Sequence, residues 1–189
     1  MLSLNCLHRL PKSWSLRKST EINGYNIWRS SLSCSEKLKF IADENVFKLG
    51  RWLRILGYDV VYYSPSSDAE LAGRALKENR IILTRDHDFL EMKTVERCLL
   101  LESTNPIEQL KQVIEAFNLT PTEDRIFSRC VKCNAPIEQI EKTAVLSKVP
   151  IYVYKTQEIF FRCTSCESIY WPGTHTENVK NKLKLFIIN

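Results

Sequence analysis

The chain has 189 residues, 44% hydrophobic and 26% charged, which is the balance of a soluble globular protein. That length holds one ordinary domain plus a small module, and the sequence contains no run of about 18 apolar residues to cross a membrane. The net charge of +5 is uneven: residues 1–37 carry six Lys/Arg against two Asp/Glu, residues 38–119 eleven against thirteen, and residues 120–189 ten against seven. An acidic centre between basic flanks suits a polyanion held beside a metal site, and suits equally a solvated surface with no partner.

Residues 1–37 include eight serines and, as acids, only Glu21 and Glu36. Ser/Arg-rich, acid-poor composition is that of an organelle transit peptide or a disordered extension, so this segment is set outside the expected fold. From residue 38 the pattern is regular. LKFIAD (38–43) reads as a short buried strand. In ENVFKLGRWLRILGY (44–58), Val46, Leu49, Leu53 and Leu56 recur at helical spacing, with Lys48, Arg51 and Arg54 expected on the opposite side and Gly57 as the stop. DVVYY (59–63) is a second strand. Ser67 or Asp68 caps a helix running to Asn79, with Leu71, Ala72 and Ala75 inward. RIILT (80–84) and ERCLLLES (96–103) are strands three and four. Asn105 caps and Pro106 opens a last helix to about Asn118. Alternating helices and near-continuous apolar strands predict an α/β domain over 38–119, its parallel sheet covered on both faces. Residues 119–128 form a polar connector.

In open parallel sheets ligands bind beyond the carboxyl ends of the strands. Asp43 ends the first strand, and Asp86 and Asp88 follow the third in TRDHDF. Three carboxylates gathered at one edge repel unless a cation lies between them, and oxygen-only ligands suit Mg²⁺ or Mn²⁺. Such a site supports in-line hydrolysis of a phosphodiester; the alternative is ordinary capping aspartates. Glu44 and Glu70 lie nearby, and His87 is expected to point away. Arg51, Arg54 and Arg85 are candidate phosphate contacts.

Seven cysteines make an odd set for a disulfide framework, and four of them fall in two CxxC pairs, Cys130/Cys133 and Cys163/Cys166. This is the spacing of a zinc ribbon over 128–178, in a reducing intracellular compartment, cytoplasmic or organellar. Structural zinc of this kind contributes roughly 10–16 kcal/mol of apparent binding energy to folding. Cys98 sits in an apolar strand as core. After the second pair, Tyr170 and Trp171 could stack on bases, or pack the ribbon against the main domain. His175, Lys180, Lys182 and Lys184 could approach phosphates. Residues 179–189 are read as a C-terminal tail.

The runs FIADENVFKLGRWLRILGYDVVYY, RIILTRDHDF and SRCVKCN…FRCTSC…IYWPGTH, in this order, resemble the Mut-seven-C RNase domain, a PIN-like domain with a fused zinc ribbon. The resemblance spans about residues 38–178. It implies a PIN-like α/β/α sandwich and metal-dependent RNase activity, with Asp43, Asp86 and Asp88 as the acidic set and Mg²⁺ or Mn²⁺ as cofactor. A fourth acid, usual in PIN nucleases, is not matched by an obvious residue; Asp68 or Glu70 would serve. The expectation is a ribonuclease acting on RNA, with the ribbon aiding folding and RNA binding. The alternatives are a non-catalytic RNA- or ribosome-binding module and a zinc-stabilised protein adaptor.

Overall fold

A computed structural model of the chain describes residues 20–22, 25–27, 38–62 and 67–187, apart from the side chains of 20–22 and 25–27 and a few of the last helix. Its larger sheet has the strand order β1-β2-β6-β5-β3-β4. Strands β3 (Lys39–Ala42), β4 (Asp59–Tyr62), β5 (Ile81–Thr84) and β6 (Cys98–Leu100) are mutually parallel. This is the expected sheet. The hairpin β1 (Thr20–Ile22) and β2 (Tyr25–Ile27) extends it antiparallel, through Ile27 opposite Leu99. Part of the N-terminal segment set outside the fold therefore covers the β6 edge; the transit-like character of the remainder lies outside the described residues.

Strand alternation sorts the core onto two faces. Phe40, Ala42, Val60, Ile81, Leu83 and Leu99 face α1 (Phe47–Ile55) and α4 (Pro106–Ala116). Ile41, Ile82 and Cys98 face α2 (Asp68–Glu78) and the short α3 (Asp88–Glu91) through Leu71, Ala72, Ala75 and Phe89. Leu49, Leu53 and Leu56 are fully buried under α1, each stabilising by roughly 1.5–3 kcal/mol. The predicted caps form: the Ser67 hydroxyl accepts from the Glu70 amide, Asn105 Oδ1 accepts from the Ile107 amide at 2.9 Å, and Pro106 opens α4. The chain enters α1 through a single 3₁₀ turn over Glu44–Val46.

Beyond the polar connector, β7 (Ile137–Ile140), β8 (Phe160–Cys163) and β9 (Ile169–Tyr170) form an antiparallel sheet. Between β7 and β8 lie a 3₁₀ turn and α5 (Ile151–Thr156), which close a small core of Val145, Val153 and Phe160. The expected tail is instead helix α6 (Thr174–Ile187). Its Val179 and Leu183, one turn apart, are buried in the α/β core beside α4. The side chains of His175, Lys180 and Lys184 lie outside the described residues; Lys182 is exposed.

The connector is held where α1 ends. Gly57 has φ +82°, and the Phe127 amide donates to the Ile55 carbonyl at 2.7 Å. A Cβ at Gly57 would collide with the Arg125 carbonyl and lie 2.7 Å from Ser128 Oγ. Gly57→Ala should therefore lose at least about 2 kcal/mol, from left-handed strain and the clash together. A lowered urea midpoint at unchanged slope would register this.

Candidate active site and metal centre

Because β4 and β5 lie on opposite sides of β3, the chain reverses direction across the sheet between β3 and β5, and the carboxyl ends of these strands are where open parallel sheets place their ligands. Asp43 follows β3 and is 7% exposed. Its Oδ1 accepts from the Glu44 amide at 2.7 Å, and its Oδ2 accepts from the Asn45 side-chain amide and from the Thr84 hydroxyl at 2.7 Å. Thr84, the last residue of β5, is fully buried, and its hydroxyl also accepts from the Asp86 amide at 3.0 Å. Asp86 Oδ1 in turn accepts from the Asp88 amide at 2.9 Å, which starts α3. One hydroxyl thus ties the acid of the first strand to the acids of the third. Thr84 and Asn45 escaped the reading of the sequence; their signal is that each lies two residues from an acid, in the TRD and DEN runs.

Asp43, Asp86 and Asp88 are brought to one edge. The fourth acid there is Asp68, at the start of α2. Its carboxyl is pushed above the usual range, by desolvation first and then by the charges of Asp43, Asp86 and Asp88. Oxygen donors crowded this way fit a hard divalent cation. The crowding is electrostatic rather than a closed ligand shell: among the described residues, the only group of three or more with all ligand atoms within 4.8 Å of one another is the cysteine set.

Arg51 and Arg85 are exposed, as a phosphate contact requires, and so are Lys48 and, 48% exposed, Phe47. Arg54 corrects the expectation. Instead of facing solvent it is 3% exposed. Its Nε donates to the Val60 carbonyl at 2.7 Å, and its Nη1 donates to the carbonyls of Val131 and Lys132 at 3.0 and 2.9 Å. The guanidinium also lies 3.6 Å from the centre of the Tyr62 ring, whose other neighbour is Phe47 at 4.2 Å. Gly50 makes room for that ring, since a Cβ there would collide with Tyr62 Cε1. Burial pushes the Arg54 pKa down against the opposing pull of Tyr62, Cys130, Cys133 and Asp59. The cause of the miss is that the surface covering Arg54 comes from 77 residues further along the chain.

The four cysteines expected as ligands converge. Cys130 Sγ lies 3.5 Å from Cys166 Sγ, and Cys133 Sγ lies 3.3 Å from Cys163 Sγ. Disulfides have 2.05 Å bonds, whereas a tetrahedron with bonds of about 2.3 Å has edges of about 3.8 Å. The amides of Cys133, Ser165 and Cys166 point at the sulfurs of Cys130 and Cys163 at 3.4 Å, as thiolates at a knuckle demand. The cluster could hold a metal such as zinc. The Tyr170 hydroxyl meets Cys130 Sγ at 3.0 Å, and Trp171 packs on the ribbon's own core, not against the main domain.

The family model of the Mut7-C RNAse domain matches residues 38–183, and the chain belongs to that family. It is also 35% identical over 101 residues to the human exonuclease mut-7 homolog, an alignment covering 51% of this chain and 12% of that protein. Membership suggests nuclease activity and a nucleic-acid substrate.

The Thr84 link is open to a direct check. Thr84→Val keeps the shape but leaves the Asp86 amide unpaired and Asp43 with one donor fewer. It should cost about 1–3 kcal/mol in urea unfolding; unchanged stability would show that the hydroxyl does not join the two strands.

Proposed function

We propose that this member of the Mut7-C RNAse domain family is a metal-dependent ribonuclease, its reaction centre being Asp43, Asp68, Asp86 and Asp88 at the switch between β3 and β5. The observation that carries this reading is the convergence of Asp43, Asp86 and Asp88 at the ends of β3 and β5, joined through the Thr84 hydroxyl. Crowded acids at strand ends have a use when a cation joins them. Mg²⁺ or Mn²⁺ held there would activate a water and offset the charge developing on a phosphodiester. The chain's own contribution is positional: Thr84 and Asn45 fix Asp43, and Asp86 is anchored through its amide to the same hydroxyl.

RNA as substrate rests on the family's description. Its approach is supported by α1, where Phe47 and Arg51, one helical turn apart, stand exposed with Lys48 beyond Asp43. An aromatic face beside cationic side chains suits a single strand, with bases stacked and phosphates paired. The four-thiolate cluster holds structural zinc on this reading, which requires reduced cysteines and hence an intracellular compartment. One observation favours a second reading, a non-catalytic RNA-binding module: Asp43 already has donors on both oxygens, and the acids do not close a ligand shell.

Asp86→Asn separates the two. The amide oxygen still accepts from the Asp88 amide, so only the charge is lost. An enzyme should lose activity on labelled RNA with Mn²⁺ by orders of magnitude, while stability in EDTA holds or rises slightly as repulsion is relieved. An equally active variant would remove Asp86 from the reaction.

The approach along α1 has its own signature. Arg51→Ala should weaken RNA binding similarly across sequences and lower the salt slope by about one. Phe47→Ala should weaken binding by about 1–3 kcal/mol with the slope unchanged. Filter-binding titrations between low and moderate salt distinguish the two effects.

A further inference from the structure

Arg54 is a buried cation without a buried anion in contact. Among the described residues no carboxylate lies within 4.0 Å of it. Its donors go to three backbone carbonyls, two of them belonging to Val131 and Lys132, the residues between Cys130 and Cys133. Isolating a charge in this way is costly unless something nearby carries the opposite sign; Asp59 acts on it from beyond contact distance but is itself paired with Arg80 and Arg129. Four thiolates carry twice the charge that one Zn²⁺ neutralises, so a filled cysteine site is a dianion. The turn that presents two of its sulfurs is the turn Arg54 grips.

A second set of bonds ties the same turn to the sheet. Asn134, directly after Cys133, accepts from the Val60 amide at 3.1 Å and donates to Asp59 at 2.8 Å. Arg54 donates to the Val60 carbonyl. Both outward backbone groups of Val60 on edge strand β4 are therefore satisfied by the residues that grip the knuckle.

We infer that Arg54 is a positioning residue of the metal centre, contributed by the α/β domain: it offsets the charge of the thiolate site, holds the first knuckle in its liganding shape, and so links metal occupancy to the order of α1 and β4. This rests on the reading that the four cysteines hold a metal, and does not depend on the nuclease reading.

The test is competition with a chromophoric chelator on the full chain, for zinc and for Co²⁺, whose absorption bands report tetrahedral thiolate ligation. Arg54→Gln removes the charge and most of the fork, and should lower metal affinity roughly 10–100-fold. Arg54→Lys keeps the charge and should recover part of that loss. In the converse measurement on unmutated protein, chelation should speed hydrogen exchange at Val60 and through α1 while β5 keeps its protection. This arm does not depend on the variants folding. Variants that load metal as tightly as the parent, or α1 and β4 amides equally protected with and without metal, would overturn the inference. A parent protein that takes up neither ion would overturn the metal reading and this inference with it.

Discussion

The grip of Arg54 on the first cysteine knuckle is a buried polar contact that joins the two modules, alongside the apolar docking of the connector and α6. A small antiparallel sheet with the three-residue core of Val145, Val153 and Phe160 has little apolar surface to dock with. What joins it to the α/β domain at this point is polar and specific: the guanidinium to Val131 and Lys132, and Asn134 to Val60 and Asp59. Asp59 is itself braced. Burial alone would raise its pKa, but hydrogen bonds from Arg80 and Asn134 and the charges of Arg80 and Arg129 outweigh that and hold it low. The edge of a sheet is a liability when left open. Here the outward groups of Val60 on β4 are taken up by Arg54 and Asn134, and β6 on the other side is covered by the β1/β2 hairpin.

The same contact reaches the candidate active site through α1. Arg54 stacks on Tyr62, Tyr62 on Phe47, and Phe47 begins the helix that the Asp43 turn leads into. The Tyr62 hydroxyl is buried without a partner among the described residues, and burial pushes its pKa up to about 12, so this ring is held by its faces rather than its oxygen. A stack of two rings and a guanidinium is stiff. It fixes the end of α1 that stands beside Asp43, with Arg51 one turn along.

Much of this was legible in the sequence, because it follows local rules. Val46, Leu49, Leu53 and Leu56 announce α1 by spacing alone, Ser67 and Asn105 announce their helices as caps, and two CxxC pairs announce the cysteine cluster. Two of the losses share one physical cause: the partner lies far away in the chain. Arg54 falls on the nominally polar side of α1, and only the docked knuckle makes that side interior. Val179 and Leu183 are two apolar residues among lysines, too few to signal a helix without α4 to receive them. Helix α3 is four residues long, shorter than any period can reveal. The fourth acid is ambiguous between Asp68 and Glu70 in the sequence because both lie in the first turn of α2.

The two clusters also differ in a way that bears on how each would choose its metal. The sulfurs form a closed set with all four ligand atoms within 4.8 Å of one another, and two of the four cysteines are buried. Soft, preformed and tetrahedral, that set selects zinc over hard cations. The carboxylates are wider apart, and Asp68 and Asp88 are exposed. A spread of oxygens open to water disfavours an ion that wants a compact shell and suits one that keeps several of its waters, as Mg²⁺ does when held by one or two carboxylates. On the proposed reading that exposure has a use, since the water to be activated would be among those retained. Zinc, which binds nitrogen and sulfur more tightly, would have a better home in the cysteine cluster. On the same reading, geometry and ligand softness would sort a mixed pool of ions between the two clusters, rather than affinity alone.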